Sequence, residues 1–134
     1  MILVDTSVWI DFFGSSPGRA GDELRRMIDE AEPFATTGVI VTEILQGIRR
    51  DVHRVESFLA QWEMLEPRRF STYREASAIS RLGRSKGISL TTIDTLIAAI
   101  ALENRAILFT LDKDFSRISR MAPLHLYTLP ELAN

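Results

Sequence analysis

Cysteine is absent from the 134 residues. That removes disulfides, thiolate metal sites and cysteine nucleophiles together, and it fits a reducing, cytoplasmic setting. Lysine is nearly absent: Lys86 and Lys113 are the only ones among 16 basic residues, so 14 are arginine. The planar guanidinium fork suits phosphates and carboxylates, although a GC-rich genome leaves the same bias. Histidine is confined to His53 and His125, which share no ligand spacing, so a structural zinc site is not expected. No apolar run approaches the roughly 18 residues a membrane span needs, and the first residues read as a strand rather than a basic leader. Neither Gly-x-x-x-x-Gly-Lys nor Gly-x-Gly-x-x-Gly occurs, which removes both nucleotide cradles. Gly14-Ser15-Ser16-Pro17-Gly18 formally matches a hydrolase nucleophile elbow. It follows a helix where a strand is required, and Pro17 lacks the N–H that an oxyanion hole needs, so it reads as a loop.

What remains is an average globular composition, 46% hydrophobic and 25% charged, with a net charge of -2. Residues 1–134 are expected to form a single domain with a core of its own, and a partner held by bulk charge alone is not expected. Linkers, repeats and low-complexity runs are lacking.

The chain alternates strands and helices. Met1-Ile2-Leu3-Val4 is a short apolar run of the kind a buried parallel strand shows. Asp5-Thr6-Ser7 are capping types ahead of a short helix through Phe13. Residues 20–31 form an amphipathic helix with Leu24, Met27 and Ile28, and Phe34-Ala35-Thr36 a second strand. Thr37-Gly38 opens a third helix, on which Val41, Ile44, Leu45 and Ile48 make an apolar face. Helices follow at about 51–62 and 71–86, the latter stopped by Gly87, and from Thr91/Thr92 to about Asn104. Ala106-Ile107-Leu108-Phe109 is a further strand and His125-Leu126-Tyr127 a last one. This order implies an α/β fold, a three-layer α/β/α sandwich around a parallel sheet. In such folds sites gather beyond the carboxyl ends of the strands.

Acids stand there. Asp5 directly follows the first strand, and Asp112 lies two residues past Thr110 with Asp114 close behind. Each alone reads equally as a helix cap or turn former. Asp94 is harder to dismiss, because Ile93 to Leu102 is apolar almost all round and Asp94 shares an edge with Ile97, Ala98 and Ala101. An unpaired carboxylate there is costly without a cation or cleft beside it. Glu43 lies off the apolar stripe of the third helix, a position that is commonly solvated, but its helix starts on the same sheet edge. Acids converging on one edge repel, and the ordinary remedy is a hard divalent cation with oxygen ligands. Mg²⁺ suits such a site, and two ions roughly 4 Å apart support phosphodiester hydrolysis.

These pieces together resemble the PIN-domain ribonucleases, most closely the VapC-type toxins of bacterial toxin–antitoxin pairs. The resemblance is carried by Ile2-Leu3-Val4-Asp5-Thr6-Ser7-Val8-Trp9-Ile10, Thr42-Glu43-Ile44-Leu45-Gln46-Gly47, Asp94 with Ile97-Ala98-Ala99, and Thr110-Leu111-Asp112-Lys113-Asp114-Phe115. It covers essentially the whole chain. It implies an Mg²⁺-dependent endoribonuclease, with Mn²⁺ able to substitute, restrained by a small antitoxin. It carries Asp5, Glu43, Asp94 and Asp112 into the catalytic, metal-binding site, with Asp114 second in rank. Thr6 and Thr110 are then the hydroxyls that orient the carboxylates. It also implies a homodimer, in keeping with the crowding of Trp9, Phe12 and Phe13 on one short helix.

Two loose basic groups, Arg49/Arg50/Arg54 and Arg68/Arg69/Arg74, fit a solvated helix face as well as phosphate contact. Trp9 and Phe12 read as core or dimer packing rather than base-stacking platforms. A phospho-acceptor receiver domain is the rival from another class, but the chain offers no acceptor aspartate in its middle and few lysines. A PIN fold without catalysis, serving as an RNA- or protein-binding module, is the other alternative.

Overall fold

The computed structural model describes residues 1–130. Four parallel strands make one sheet: β1 (Ile2–Val4), β2 (Phe34–Thr37), β3 (Glu63–Leu65) and β4 (Ile107–Phe109), in the order β3-β2-β1-β4. Around it, among the described residues, lie seven helices: α1 (Thr6–Phe13), α2 (Arg19–Asp29), α3 (Gly38–Gly47), α4 (Val52–Ala60), α5 (Arg69–Ser85), α6 (Thr92–Glu103) and α7 (Lys113–Ser119). The expected α/β/α sandwich is the observed one. No helix of the described residues is long and apolar enough to cross a membrane.

β1 is central, with Ile2 in register with Phe34 on one side and Ile107 on the other. Leu3, Val4, Leu108 and Phe109 are all essentially buried, which is why both strands are unbroken apolar runs in the sequence. Each such side chain contributes roughly 1.5–3 kcal/mol of burial. Trp9 is also fully buried, ringed by Phe12, Phe13, Phe34 and Phe58 at centroid separations of 5.7–6.0 Å. It belongs to the core.

Two strand expectations need correction. β3 was not foreseen: Glu63 and Met64 are exposed on the sheet edge, so the segment lacks the apolar or alternating pattern of a strand. His125-Leu126-Tyr127 is only a single bridge, in which Leu108 donates to His125 O at 2.9 Å and Tyr127 donates to Leu108 O at 2.8 Å. Pro123 and Pro130 flank it closely and leave no room for a longer ladder.

Helices α2, α5 and α6 end alike. In each, the residue after the cap is left-handed (Ala31 at φ 54°, Gly87 at 75°, Arg105 at 51°). The next amide donates back five residues, as Ala106 does to Ala101 O at 2.9 Å. Gly87 takes this conformation without strain, as its place at the helix end suggested, while Ala31 and Arg105 do so against their Cβ atoms.

Candidate active site

The chain's acids reach the carboxyl edge of the sheet by two routes. Asp5 and Asp112 follow the adjacent strands β1 and β4 and cap the helices that come next. Asp94 arrives from the opposite direction: α6 precedes β4 and runs antiparallel to it, so its first turn, not its last, lies at this edge. Glu43 stands in the second turn of α3, which starts directly from β2.

Asp5 is 4% exposed and firmly held. Its N–H donates to Phe109 O at 2.9 Å, which extends the β1–β4 ladder by one residue. Its Oδ2 accepts the hydroxyls of Ser7 and Thr110, each at 2.8 Å. The Thr110 oxygen in turn accepts the Asp112 N–H at 3.0 Å, and Asp112 Oδ1 accepts the Asp114 N–H at 2.9 Å. Thr110 therefore ties the two strand ends together. The capping roles open to Asp5 and Asp112 in the sequence are real, and they aim the same carboxylates at the edge.

Asp94, Asp112 and Asp114 each offer a carboxylate oxygen within 4.8 Å of the other two. Burial pushes the Asp94 carboxyl up to about 6, and the charge of Asp112 adds to this; the Thr91 hydrogen bond opposes it, with smaller upward pushes from Asp5 and Asp114. Burial favours the uncharged acid, and so do like charges nearby. Thr91 caps α6 by accepting the Asp94 N–H at 3.1 Å.

Glu43 stands apart from this trio. Its Oε1 accepts the Thr6 hydroxyl at 2.8 Å, which holds the half-buried side chain toward the start of α1. The structure thus gathers Asp94, Asp112 and Asp114 tightly, sets Asp5 against them, and keeps Glu43 alongside under Thr6. Asp114 lies within the close trio. Thr6 donates to Glu43 and Thr110 to Asp5. Ser7 was overlooked as a site residue: besides Asp5, it accepts the Leu111 N–H at 2.9 Å and lies 3.3 Å from the Thr110 hydroxyl. Its only signal in the sequence was that of a capping type.

The donor set is all carboxylate and hydroxyl oxygen. A divalent cation of hard character would offset both the burial and the like charges that raise Asp94, and the residues fit one.

A PIN-domain family profile matches residues 2–121. A VapC ribonuclease of Mycobacterium bovis and ribonuclease VapC11 of Mycobacterium tuberculosis are each 34% identical to this chain over 128 residues, covering 92% of it and 96% of the relative. Among solved structures, the VapBC2 complex of Rickettsia felis bound to promoter DNA aligns with a TM-score of 0.75 at 19% identity, over 95% of this chain and 98% of that one. A toxin–antitoxin complex from Klebsiella pneumoniae aligns with a TM-score of 0.73 at 23% identity, over 98% and 100%.

Proposed function

Because this chain belongs to the PIN-domain family, in company with the VapC ribonucleases, we propose that it is an endoribonuclease toxin whose acidic cluster hydrolyses RNA phosphodiester bonds with Mg²⁺. The observation that carries the reading is the close approach of Asp94, Asp112 and Asp114 beside buried Asp5 at the carboxyl edge of the sheet.

Asp5, Asp94 and Asp112 are the residues proposed to hold the cation, with Asp114 and Glu43 completing the pocket. When bound, a hard divalent ion polarises the scissile phosphate and lowers the pKa of a water at neutral pH, and Mn²⁺ supplies the same chemistry. The chain's own groups do the rest. Thr110 and Ser7 hold the Asp5 carboxylate in place ahead of substrate. Thr6 holds one oxygen of Glu43 and leaves the other to accept a proton from an attacking water. Asp94, whose carboxyl burial raises to about 6, is the ligand whose ionised form a bound cation would favour most.

The chain is proposed to act as one ribonuclease unit in the cytoplasm, as a homodimer, restrained by a small cognate antitoxin. Support for the antitoxin comes from the VapC relatives and from the same fold in the Klebsiella complex. Exposed Ile10 (61%) and Phe13 (40%) on α1 support a protein contact there. Family membership removes the receiver-domain alternative, and no observation favours a silent module. The deciding experiment is incubation with total RNA, with and without Mg²⁺, followed by mapping of the cut ends. Cleavage confined to the metal-containing reaction is the expected result, and intact RNA in both would overturn the proposal.

A further inference from the structure

An acidic site in a chain of net charge -2 cannot hold a polyanion by itself, so the substrate needs a basic surface nearby. Between Arg68 and Lys86 the sequence carries six basic residues against the single acid Glu75. This stretch is α5 and its two flanking residues, and α5 packs along α6, the helix that bears Asp94.

One face of α5 combines two kinds of side chain. Phe70, Tyr73, Ser77, Arg81 and Arg84 follow at spacings of three, four, four and three, which places them on one stripe of a helix. Phe70 is 73% and Tyr73 53% exposed, an unusual display of aromatic surface. Arg81 and Arg84 are exposed, and among the described residues neither is paired with a carboxylate; Arg81 touches only the Ser77 hydroxyl, at 3.3 Å. Tyr73, Ser77, Arg81 and Arg84 line an open groove of about 440 Å³, whose other wall is Thr92 and Thr95 of α6.

The groove and the acids flank the same turn. Thr92 and Thr95 face the groove, while Asp94 leaves the other side of the helix. A helix with its side chains is about 10–12 Å across, a gap a few nucleotides can bridge. Thr91, Thr92 and Ile93, which lie between, are exposed, so the path over the start of α6 is open.

We propose that the Phe70–Arg84 face of α5, with the groove against α6, is a track for the single-stranded RNA that flanks the cleaved bond. Arg81 and Arg84 take phosphates, Tyr73 and Phe70 stack bases, and the hydroxyls of Ser77 and Thr92 reach sugar or phosphate oxygens. Unpaired arginines beside exposed rings are what sequence-tolerant single-strand binding requires. Two forks without acidic partners match phosphates better than an apolar protein surface. The proposal deepens the ribonuclease reading and rests on it for the identity of the ligand.

The test begins with binding of a fluorescein-labelled single-stranded oligoribonucleotide of mixed sequence to the full chain in chelator, where cleavage is blocked. Arg81→Gln with Arg84→Gln should weaken binding on the order of tenfold and make the salt dependence shallower by about 1.4, two phosphates at ~0.7 each on a single strand. Arg81→Lys with Arg84→Lys should keep the salt slope. Tyr73→Ala should weaken binding with the slope unchanged. With Mg²⁺, the glutamine pair should raise KM for the oligonucleotide, leave kcat alone, and leave cleavage of a dinucleotide, too short to reach the groove, as in wild type. Unchanged affinity and slope in the glutamine pair would overturn the track. So would a fall from dimer to monomer, or loss of a cognate antitoxin, with RNA affinity intact, because the face would then serve a protein. If wild type binds as described but cuts nothing with Mg²⁺, the ribonuclease reading fails and the track stands. If it cuts and the binding arm fails, the track alone falls.

Discussion

The Thr110 hydroxyl donates to Asp5 Oδ2 at 2.8 Å, a bond between residues 105 positions apart. It pins the ends of β1 and β4 together where the carboxylates gather. Thr110→Val keeps the shape and removes the donor, so it should cost roughly 1–3 kcal/mol, because it strips a partner from a buried charge. It should also lower cleavage, since Asp5 then has only Ser7 to aim it. Urea denaturation with a parallel cleavage assay checks both; a stability within ±0.3 kcal/mol of wild type would deny the bond its role.

Asp94→Asn removes a carboxylate without adding bulk. Cleavage with Mg²⁺ should fall by about 100-fold or more, while oligoribonucleotide binding in chelator stays near wild type. Wild-type rates in this variant would remove Asp94 from the site.

Stability should depend on pH in a defined direction. Asp94 lies at about 6 in the fold against an ordinary 3.8. A group raised in this way supports the fold fully below its unfolded pKa and loses that support as pH rises through the folded one. The metal-free protein should therefore melt lower at pH 7.5 than at pH 5. Asp94→Asn should flatten that difference. Millimolar Mg²⁺ should recover the wild-type melting point most at the higher pH, since it binds the ionised native state. Thermal melts of both proteins in chelator and in Mg²⁺ decide the matter, and a wild-type melting point that rises from pH 5 to 7.5 in chelator would contradict it.

Away from the site, Arg105 is left-handed at φ 51°, two residues before the first residue of β4. Arg105→Gly relieves the Cβ clash, at the usual entropic cost of glycine, and should stabilise by about 0.5–1 kcal/mol with no change in cleavage. Chemical denaturation measures the shift; destabilisation would mean that the arginine side chain does more here than its backbone suggests.

How much of this was legible in the sequence depended on which forces were local. β1 and β4 are buried on both faces, so their apolar runs announce them; β3 is an exposed edge and has no such pattern. Asp94 stood out because burial all round it made a carboxylate anomalous, and that same burial raises its pKa. Asp112 and Asp114 looked like turn formers because a helix start and a turn use the same residue types; α7, which they open, was hidden for that reason. Thr6 and Ser7 act through bonds to residues 37 and 104 positions away, Thr6 donating to Glu43 and Ser7 accepting from the Leu111 N–H. No spacing rule encodes such partners. They became visible only once the strands were in register.

That register also orders the site in time. β1 pairs with β2 after an excursion of two helices, α1 and α2, but its other partner, β4, lies more than a hundred residues downstream. Closing so long a loop is slow, and its contacts are rewarded only when the chain returns. On a ribosome Asp5 and Glu43 emerge early, yet Thr110, Asp112 and Asp114 emerge near the end, and Asp5 lacks its Thr110 donor until then. The acidic cluster is thus incomplete for nearly the whole of synthesis, and it closes only when β4 docks beside the first strand.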